Sequence, residues 1–296
     1  MAEGQKLFDA ATAKVRGDGG RRDLAGAREL FRQAAGAGRM DAAVIYANFL
    51  AAGVGGPREW AAGLRLLASL AEVNPRSRGE LELVEAMALT AEGDPPAVPD
   101  GETLCESPVI IRFAGLFTPA ECAWLAAAAG PMLKPAVVID PPSGRQMRDP
   151  GRICDSVGFT WPLENPAVHA LNRRLAAASG TAIDQGEPLQ VLRYRPGGEY
   201  RPHFDAIPGF ANQRIATILV WLNDDYAGGE THFPTAGLKL KGAPGDALLF
   251  RNVGPDGQRD PAAGHAGLPV TAGEKLIASR WIRERAFEMP LGGRAA

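Results

Sequence analysis

LQVLRYRPGGEYRPHFDA, residues 189–206, is the stretch on which the fold turns. Its opening, 189–194, mixes β-branched, aromatic and long apolar side chains in the manner of a strand, and Pro196-Gly197-Gly198 then turns the chain. In an extended segment after that turn, residues two apart face the same way. His203 and Asp205 then offer an imidazole and a carboxylate to one metal ion, while Phe204 points to the other side. Two such ligands need a third from elsewhere. The sequence holds four histidines, and His265, reached after several further strands, suits a chain that returns to its starting point. Two histidines and one carboxylate on one face leave open positions opposite, which suits iron(II) oxygenases better than a tetrahedral zinc site. His169 in NPAVHALNRR and His232 in GETHFP fall outside this pattern and are expected to be structural or solvent-facing.

Outward from that stretch, strands are predicted at 216–222, 238–240, 247–250 and 275–282, with helices near 119–129 and 167–179. Short strands broken by Gly/Pro turns, without alternating helices, point to a jelly roll or barrel rather than a parallel sheet. The last strand, KLIASRWI, opens on Lys275. An ammonium buried there is costly unless a negative partner meets it, and a dicarboxylate cosubstrate supplies one.

Residues 1–93 read differently. They are rich in Ala, Leu, Glu and Arg, with apolar residues at helical spacing such as Leu24, Ala27, Leu30, Phe31 and Ala34. Shifting DLAGARELFRQAA by 36 places lays it on EWAAGLRLLASLA, with Leu24 on Trp60 and Phe31 on Leu67, so a helical repeat is expected. Small residues at Ala34, Ala35, Gly36, Ala42, Ala43 and Ala47 would let neighbouring helices approach closely, and the pattern resembles Sel1-like repeats, relatives of the tetratricopeptide class. A plain helical extension is the alternative reading. The Pro/Gly stretch GDPPAVPDG cannot continue a helix, so residues 94–101 are read as a linker and 102–296 as a second domain. The expected class is α+β: a jelly roll preceded by an α-helical repeat region.

With 46% hydrophobic and 22% charged residues, the chain can build a sizeable core. A net charge of −2 and a pI near 6.1 give no general attraction to nucleic acid or anionic membrane. Cys105, Cys122 and Cys154 are odd in number and form no CxxC pair, which fits a reducing compartment. Residues 1–20 lack a basic segment followed by an apolar core, and no apolar run is long enough to span a bilayer; a cytoplasmic protein is expected. No GxSxG elbow, paired-carboxylate motif or phosphate-binding loop occurs, and GVGGP at 53–57 is only a glycine-rich turn.

LQVLRYRPGGEYRPHFD, RIATILVWLND, AGGETHFP and GHAGLPVTAGEKLIASRWIRER follow one another in an order that resembles the catalytic domain of prolyl 4-hydroxylases, over about 104–285. That resemblance implies a double-stranded β-helix with iron(II) bound by His203, Asp205 and His265. It also implies that 2-oxoglutarate chelates the iron while its far carboxylate pairs with Lys275. Tyr194 resembles the tyrosine beside that carboxylate, with a cross-strand packing role as the alternative; Thr231 and Trp281 are further pocket candidates, with core or turn roles as theirs. Arg152, in GRICDSVGF, matches an arginine near the family's peptide substrate, though a surface ion pair would explain it too, and Tyr200 is its companion candidate. Gly228 and Gly229 form a turn that the family places near the active site.

The implied reaction consumes O2 and 2-oxoglutarate, releases succinate and CO2, and hydroxylates a C–H bond, with ascorbate as an expected helper. The expected substrate is a prolyl residue of a protein or peptide recruited by the N-terminal helices. Other readings are another residue type, a small molecule, a nucleic acid, or a non-catalytic jelly roll carried by a protein-binding helical scaffold. The short connection NVGPDGQRDPAAG before His265 departs from the animal collagen hydroxylases and argues against collagen as substrate.

Overall fold

The computed structural model describes residues 2–139, 146–148 and 150–289. The chain divides into two compact units, one gathering the residues up to Pro96 with Phe159–Arg173, the other holding Ala97–Gly158 and Arg174–Met289.

The first unit is helical: α1 (Ala2–Arg16), α2 (Leu24–Gly36), α3 (Met40–Ala52), α4 (Trp60–Ala71) and α5 (Pro75–Ala86), each packed on the next. Local chemistry sets several ends. Asp23 caps α2 by accepting from the Gly26 N–H, Asn74 caps α5 ahead of Pro75, and Gly53 closes α3 in the left-handed region. Ala11, Ala27, Ala34 and Ala42 are fully buried around Phe31, whose ring meets Phe8 and Phe49 edge-on at 5.7 and 5.5 Å. Helices α3 and α4 approach closely at Gly63 of α4, where a Cβ would lie 3.0 Å from the Ala51 amide nitrogen and 3.1 Å from the Ala47 carbonyl oxygen.

Glu80 is a polar exception in this unit. It is buried, accepts from the Ala167 N–H and leaves Oε1 without a partner; burial raises its pKa to about 8. A carboxyl whose pKa is raised on folding stabilises the fold at low pH, and that contribution is lost as pH rises toward the folded value. Glu80→Gln keeps an acceptor for Ala167 and cannot ionise. The variant should therefore gain on the wild type by roughly 1.4 kcal/mol per pH unit between about 4.5 and 8. Melting curves of both proteins from pH 5 to 8 check this; parallel curves would show that Glu80 does not titrate across that range.

The second unit is built on strands. In chain order they begin with β1 (Gly101–Glu106), β2 (Val109–Phe113), β3 (Lys134–Pro135), β4 (Val138–Ile139), β5 (Gln146–Met147) and β6 (Asp155–Gly158). Next come β7 (Gln190–Tyr194), β8 (Tyr200–His203), β9 (Arg214–Trp221), β10 (Ala227–Gly228) and β11 (Thr231–Phe233). The last are β12 (Leu238–Leu240), β13 (Ala247–Arg251), β14 (His265–Gly267), β15 (Val270–Ala272) and β16 (Lys275–Arg283). Helix α6 (Pro119–Ala129) starts at a Thr118–Glu121 capping box, and Arg174 of α7 (Pro166–Ser179) holds the buried Glu121 carboxylate at 2.6 Å.

Among the described residues the pairings are all antiparallel. An eight-stranded sheet runs β1-β2-β13-β9-β16-β7-β6-β3 and a four-stranded sheet runs β12-β11-β14-β8, with β10-β15 and β4-β5 as separate pairs. The core cluster draws on both main sheets: Phe233 of β11 meets Phe250 of β13 edge-on at 5.1 Å, among Leu192, Leu219, Trp221 and Ile277. The helices at 119–129 and 167–179 and all five predicted strands lie within a residue or two of expectation. The β1–β2 hairpin and the short strands β3, β6 and β11 carry no sequence signal strong enough to mark them. No helix among the described residues is long and apolar enough to cross a membrane.

Candidate active site

After the 196–198 turn, β8 carries the chain to His203, the last residue of the strand. Its neighbour β14 begins with His265, and the antiparallel register sets His265 directly opposite His203. Each ring is oriented by its own backbone. His203 Nδ1 donates to the Arg201 carbonyl at 2.8 Å and His265 Nδ1 to the Ala263 carbonyl at 3.1 Å, which leaves both Nε2 atoms as lone-pair donors.

Asp205 lies between those nitrogens. Its Oδ1 is 3.6 Å from His203 Nε2 and its Oδ2 is 3.7 Å from His265 Nε2; one donor atom from each of the three residues falls within 4.8 Å of the others. Burial alone would push the Asp205 carboxyl up, but the two imidazoles and Arg214 outweigh it and hold the group well below the usual carboxylate range. Burial lowers the His265 pKa, against the pull of Asp205, and favours the neutral ring a metal requires.

A second charged group lies on the large sheet. β16 pairs with β7 so that Lys275 faces Tyr194 across the strands, and both are buried. Lys275 Nζ donates to the Gly229 carbonyl at 2.7 Å and sits 5.5 Å from the centre of the Tyr194 ring. Among the described residues no carboxylate pairs with it. Burial lowers its pKa to about 8, partly offset by Glu230. Gly229 is required where it stands: its φ is +71°, and a Cβ would fall 2.9 Å from a Val270 methyl and 3.3 Å from the Lys275 stem.

Arg152 and Trp281 are buried toward the other side. The Arg152 guanidinium lies 5.3 Å from the Tyr200 ring and 5.8 Å from the Trp281 ring, and it forms no ion pair among the described residues. Tyr200 stacks on His203 with ring centres 3.5 Å apart. Thr231 is buried on β11.

His203, Asp205, His265, Lys275, Tyr194, Thr231, Trp281, Arg152 and Tyr200 all line one cavity of about 440 Å³ including its mouth. Thr217, Leu219, Ile277 and Ser279 line it too. Sequence reading passes over these four, although alternation along β9 and β16 is the signal that would have found them. His232 stands between two buried neighbours on β11 and faces away; His169 is buried in the first unit with Nδ1 2.9 Å from Glu164.

Two imidazoles and one carboxylate converging from one side make a donor set that fits a ferrous ion. The buried Lys275, which forms no ion pair among the described residues and lines the same cavity, fits the far carboxylate of a short keto-diacid. The profile of the 2OG-Fe(II) oxygenase superfamily matches residues 189–283, which span every one of these groups except Arg152. Prolyl 4-hydroxylase 1 of Arabidopsis thaliana is 36% identical over 204 residues, covering 62% of this chain and 72% of that protein. The chain belongs to the prolyl 4-hydroxylase family. Like the family's other members it is a 2-oxoglutarate-dependent dioxygenase. The prolyl 4-hydroxylase subunit alpha-1 of Gallus gallus is 33% identical over 193 residues, and there the chain spans only 37% of the relative's length. Among solved structures, the viral collagen prolyl hydroxylase of Paramecium Bursaria Chlorella virus-1 with 2OG superposes at a TM-score of 0.48 with 27% identity, covering 61% of this chain and 98% of that one.

Proposed function

We propose that this prolyl 4-hydroxylase relative hydroxylates a prolyl residue of a protein or peptide, consuming O2 and 2-oxoglutarate and releasing succinate and CO2. The observation that carries the reading is the convergence of His203, Asp205 and His265 within 4.8 Å, in one cavity with a buried lysine that forms no ion pair among the described residues. His203, Asp205 and His265 hold the Fe(II). Bound Fe(II) supplies the site at which O2 is activated at the expense of 2-oxoglutarate.

The protein's own share is positioning. Arg201 and Ala263 carbonyls fix the two imidazole tautomers. Lys275 pairs with the far carboxylate of 2-oxoglutarate, with the protonated Tyr194 phenol beside it, since burial pushes that phenol's pKa up. Thr231 lines the same pocket. Leu192, Leu219 and Ile277 keep its wall dry, which strengthens the Lys275 attraction. Arg152, Tyr200 and Trp281 form the face toward the polypeptide substrate, a guanidinium between two aromatic rings suited to a peptide carbonyl and a proline ring.

The two antiparallel sheets are read as the double-stranded β-helix of this family, and the helices α2–α5 as Sel1-like repeats that recruit the substrate protein. Ascorbate is proposed to keep the iron ferrous, in a cytoplasmic setting.

The test is turnover of the purified chain with Fe(II), ascorbate and 2-oxoglutarate against a panel of proline-containing peptides. The reading predicts succinate in step with a +16 Da mark on proline. Succinate without a prolyl mark, or a mark on another residue, would overturn the substrate assignment and leave the cosubstrate chemistry standing.

A further inference from the structure

The two oxygens of Asp205 have different surroundings. Oδ1 lies 3.6 Å from His203 Nε2, whereas Oδ2, 3.7 Å from His265 Nε2, accepts from Thr217 Oγ1 at 2.6 Å. Thr217 Oγ1 in turn lies 2.9 Å from Asn252 Nδ2. Asp205, Thr217 and Asn252 are 5%, 1% and 1% exposed, so water does not compete for these contacts.

The direction of the chain follows from valence. An ionised carboxylate only accepts, so the single hydroxyl hydrogen of Thr217 goes to Oδ2. Its contact with Asn252 is then a donation from the amide, which orients that side chain as well. Asn252 is fixed by its backbone, with its N–H on the Ile215 carbonyl at 2.9 Å and its carbonyl accepting from the Asp260 N–H at 3.0 Å. Thr217 occupies an inward position on β9 between Ile215 and Leu219, where a valine would fill the same space. What threonine adds there is the donor.

We propose that Thr217 and Asn252 are positioning residues: the relay Asn252–Thr217–Asp205 occupies Oδ2 and reserves Oδ1 as the one carboxylate oxygen offered to the metal. A carboxylate held this way cannot swing to give both oxygens, so one more position stays open for 2-oxoglutarate or O2. The inference rests on the metal reading given above. It differs from a packing role because its effect runs through a hydrogen bond that serine restores and valine does not.

The test measures Mn(II) affinity by calorimetry on the full chain. Thr217→Val is expected to weaken Mn(II) binding about 10- to 100-fold, the usual effect of losing a partner that orients a metal ligand. Thr217→Ser is expected to stay within about threefold of wild type, and Thr217→Val/Asn252→Ala to be no weaker than Thr217→Val alone, as one relay requires. Wild-type Mn(II) affinity in Thr217→Val, equal losses in the serine and valine variants, or additive losses in the double variant would each overturn the proposal. If Thr217→Val shows no cooperative melt, Asn252→Ala decides: a loss of Mn(II) affinity supports the relay and wild-type affinity overturns it. A wild-type chain that takes up no Mn(II) refutes the metal reading itself, a result distinct from all of these.

Discussion

Asp205→Ala should leave a folded protein that neither retains iron nor makes succinate. Asp205 is the only carboxylate of the three converging donors, and it sits 3.6 and 3.7 Å from the two imidazole nitrogens. Removing it leaves two imidazoles and deletes the one acidic group among the described lining residues, which attracts a dication into a buried cavity. Losing an outer partner of a ligand already costs 10- to 100-fold in affinity, so losing the ligand should cost more than about 100-fold. Stability should fall by only about 1–3 kcal/mol, because the variant orphans the buried Thr217 hydroxyl. Iron content after dialysis, succinate formation and a melting curve separate these effects. Retained iron in a folded Asp205→Ala protein would show that the ion binds elsewhere.

Lys275→Met should abolish productive 2-oxoglutarate binding while sparing the fold. A buried charge pair lost on one side costs about 2–5 kcal/mol, so the apparent Kd for 2-oxoglutarate should rise at least about 30-fold. In the free protein the ammonium donates to the Gly229 carbonyl, so replacing it with an apolar side chain of similar length removes a desolvation cost as well as a hydrogen bond. The same geometry fixes a pH dependence. Burial holds Lys275 near a pKa of about 8 before the keto-diacid arrives. Below that pH the site is already cationic and affinity should be flat with respect to this group. Above it the lysine must take up a proton to receive the dianion, so Kd should climb about tenfold per pH unit. Titrations between pH 6.5 and 9.5 check this, and the climb should vanish in Lys275→Met. A wild-type Kd that is flat to pH 9.5 would place the dicarboxylate away from Lys275.

Much of the site is legible in residue spacing. His203 and Asp205 advertise a shared face because an extended backbone alternates, and Lys275 stands out because it opens an otherwise apolar strand. The pairing of His265 with His203 is less accessible: β14 is three residues long, and only its neighbours on both sides define its register. Thr217 is hidden for another reason. Inside RIATILVW it reads as one more β-branched strand residue, and its role depends on Asp205 and Asn252, which the chain brings to it from opposite directions. The hairpin of β1 and β2 is missed because GETLCE has no period of its own; its strand character comes from pairing with VIIRF, which in turn pairs with β13. The helical unit shows the reverse case, where the 3.6-residue period alone places α2 and α4.

A crystal structure grown without oxygen in the presence of Mn(II) and 2-oxoglutarate would decide whether His203, Asp205 and His265 meet at one ion beside Lys275. One ion touching Nε2 of His203, Nε2 of His265 and a single oxygen of Asp205 is expected, with the far carboxylate of the keto-diacid on Lys275. An ion bound by other side chains, or a keto-diacid whose far carboxylate points away from Lys275, would contradict it.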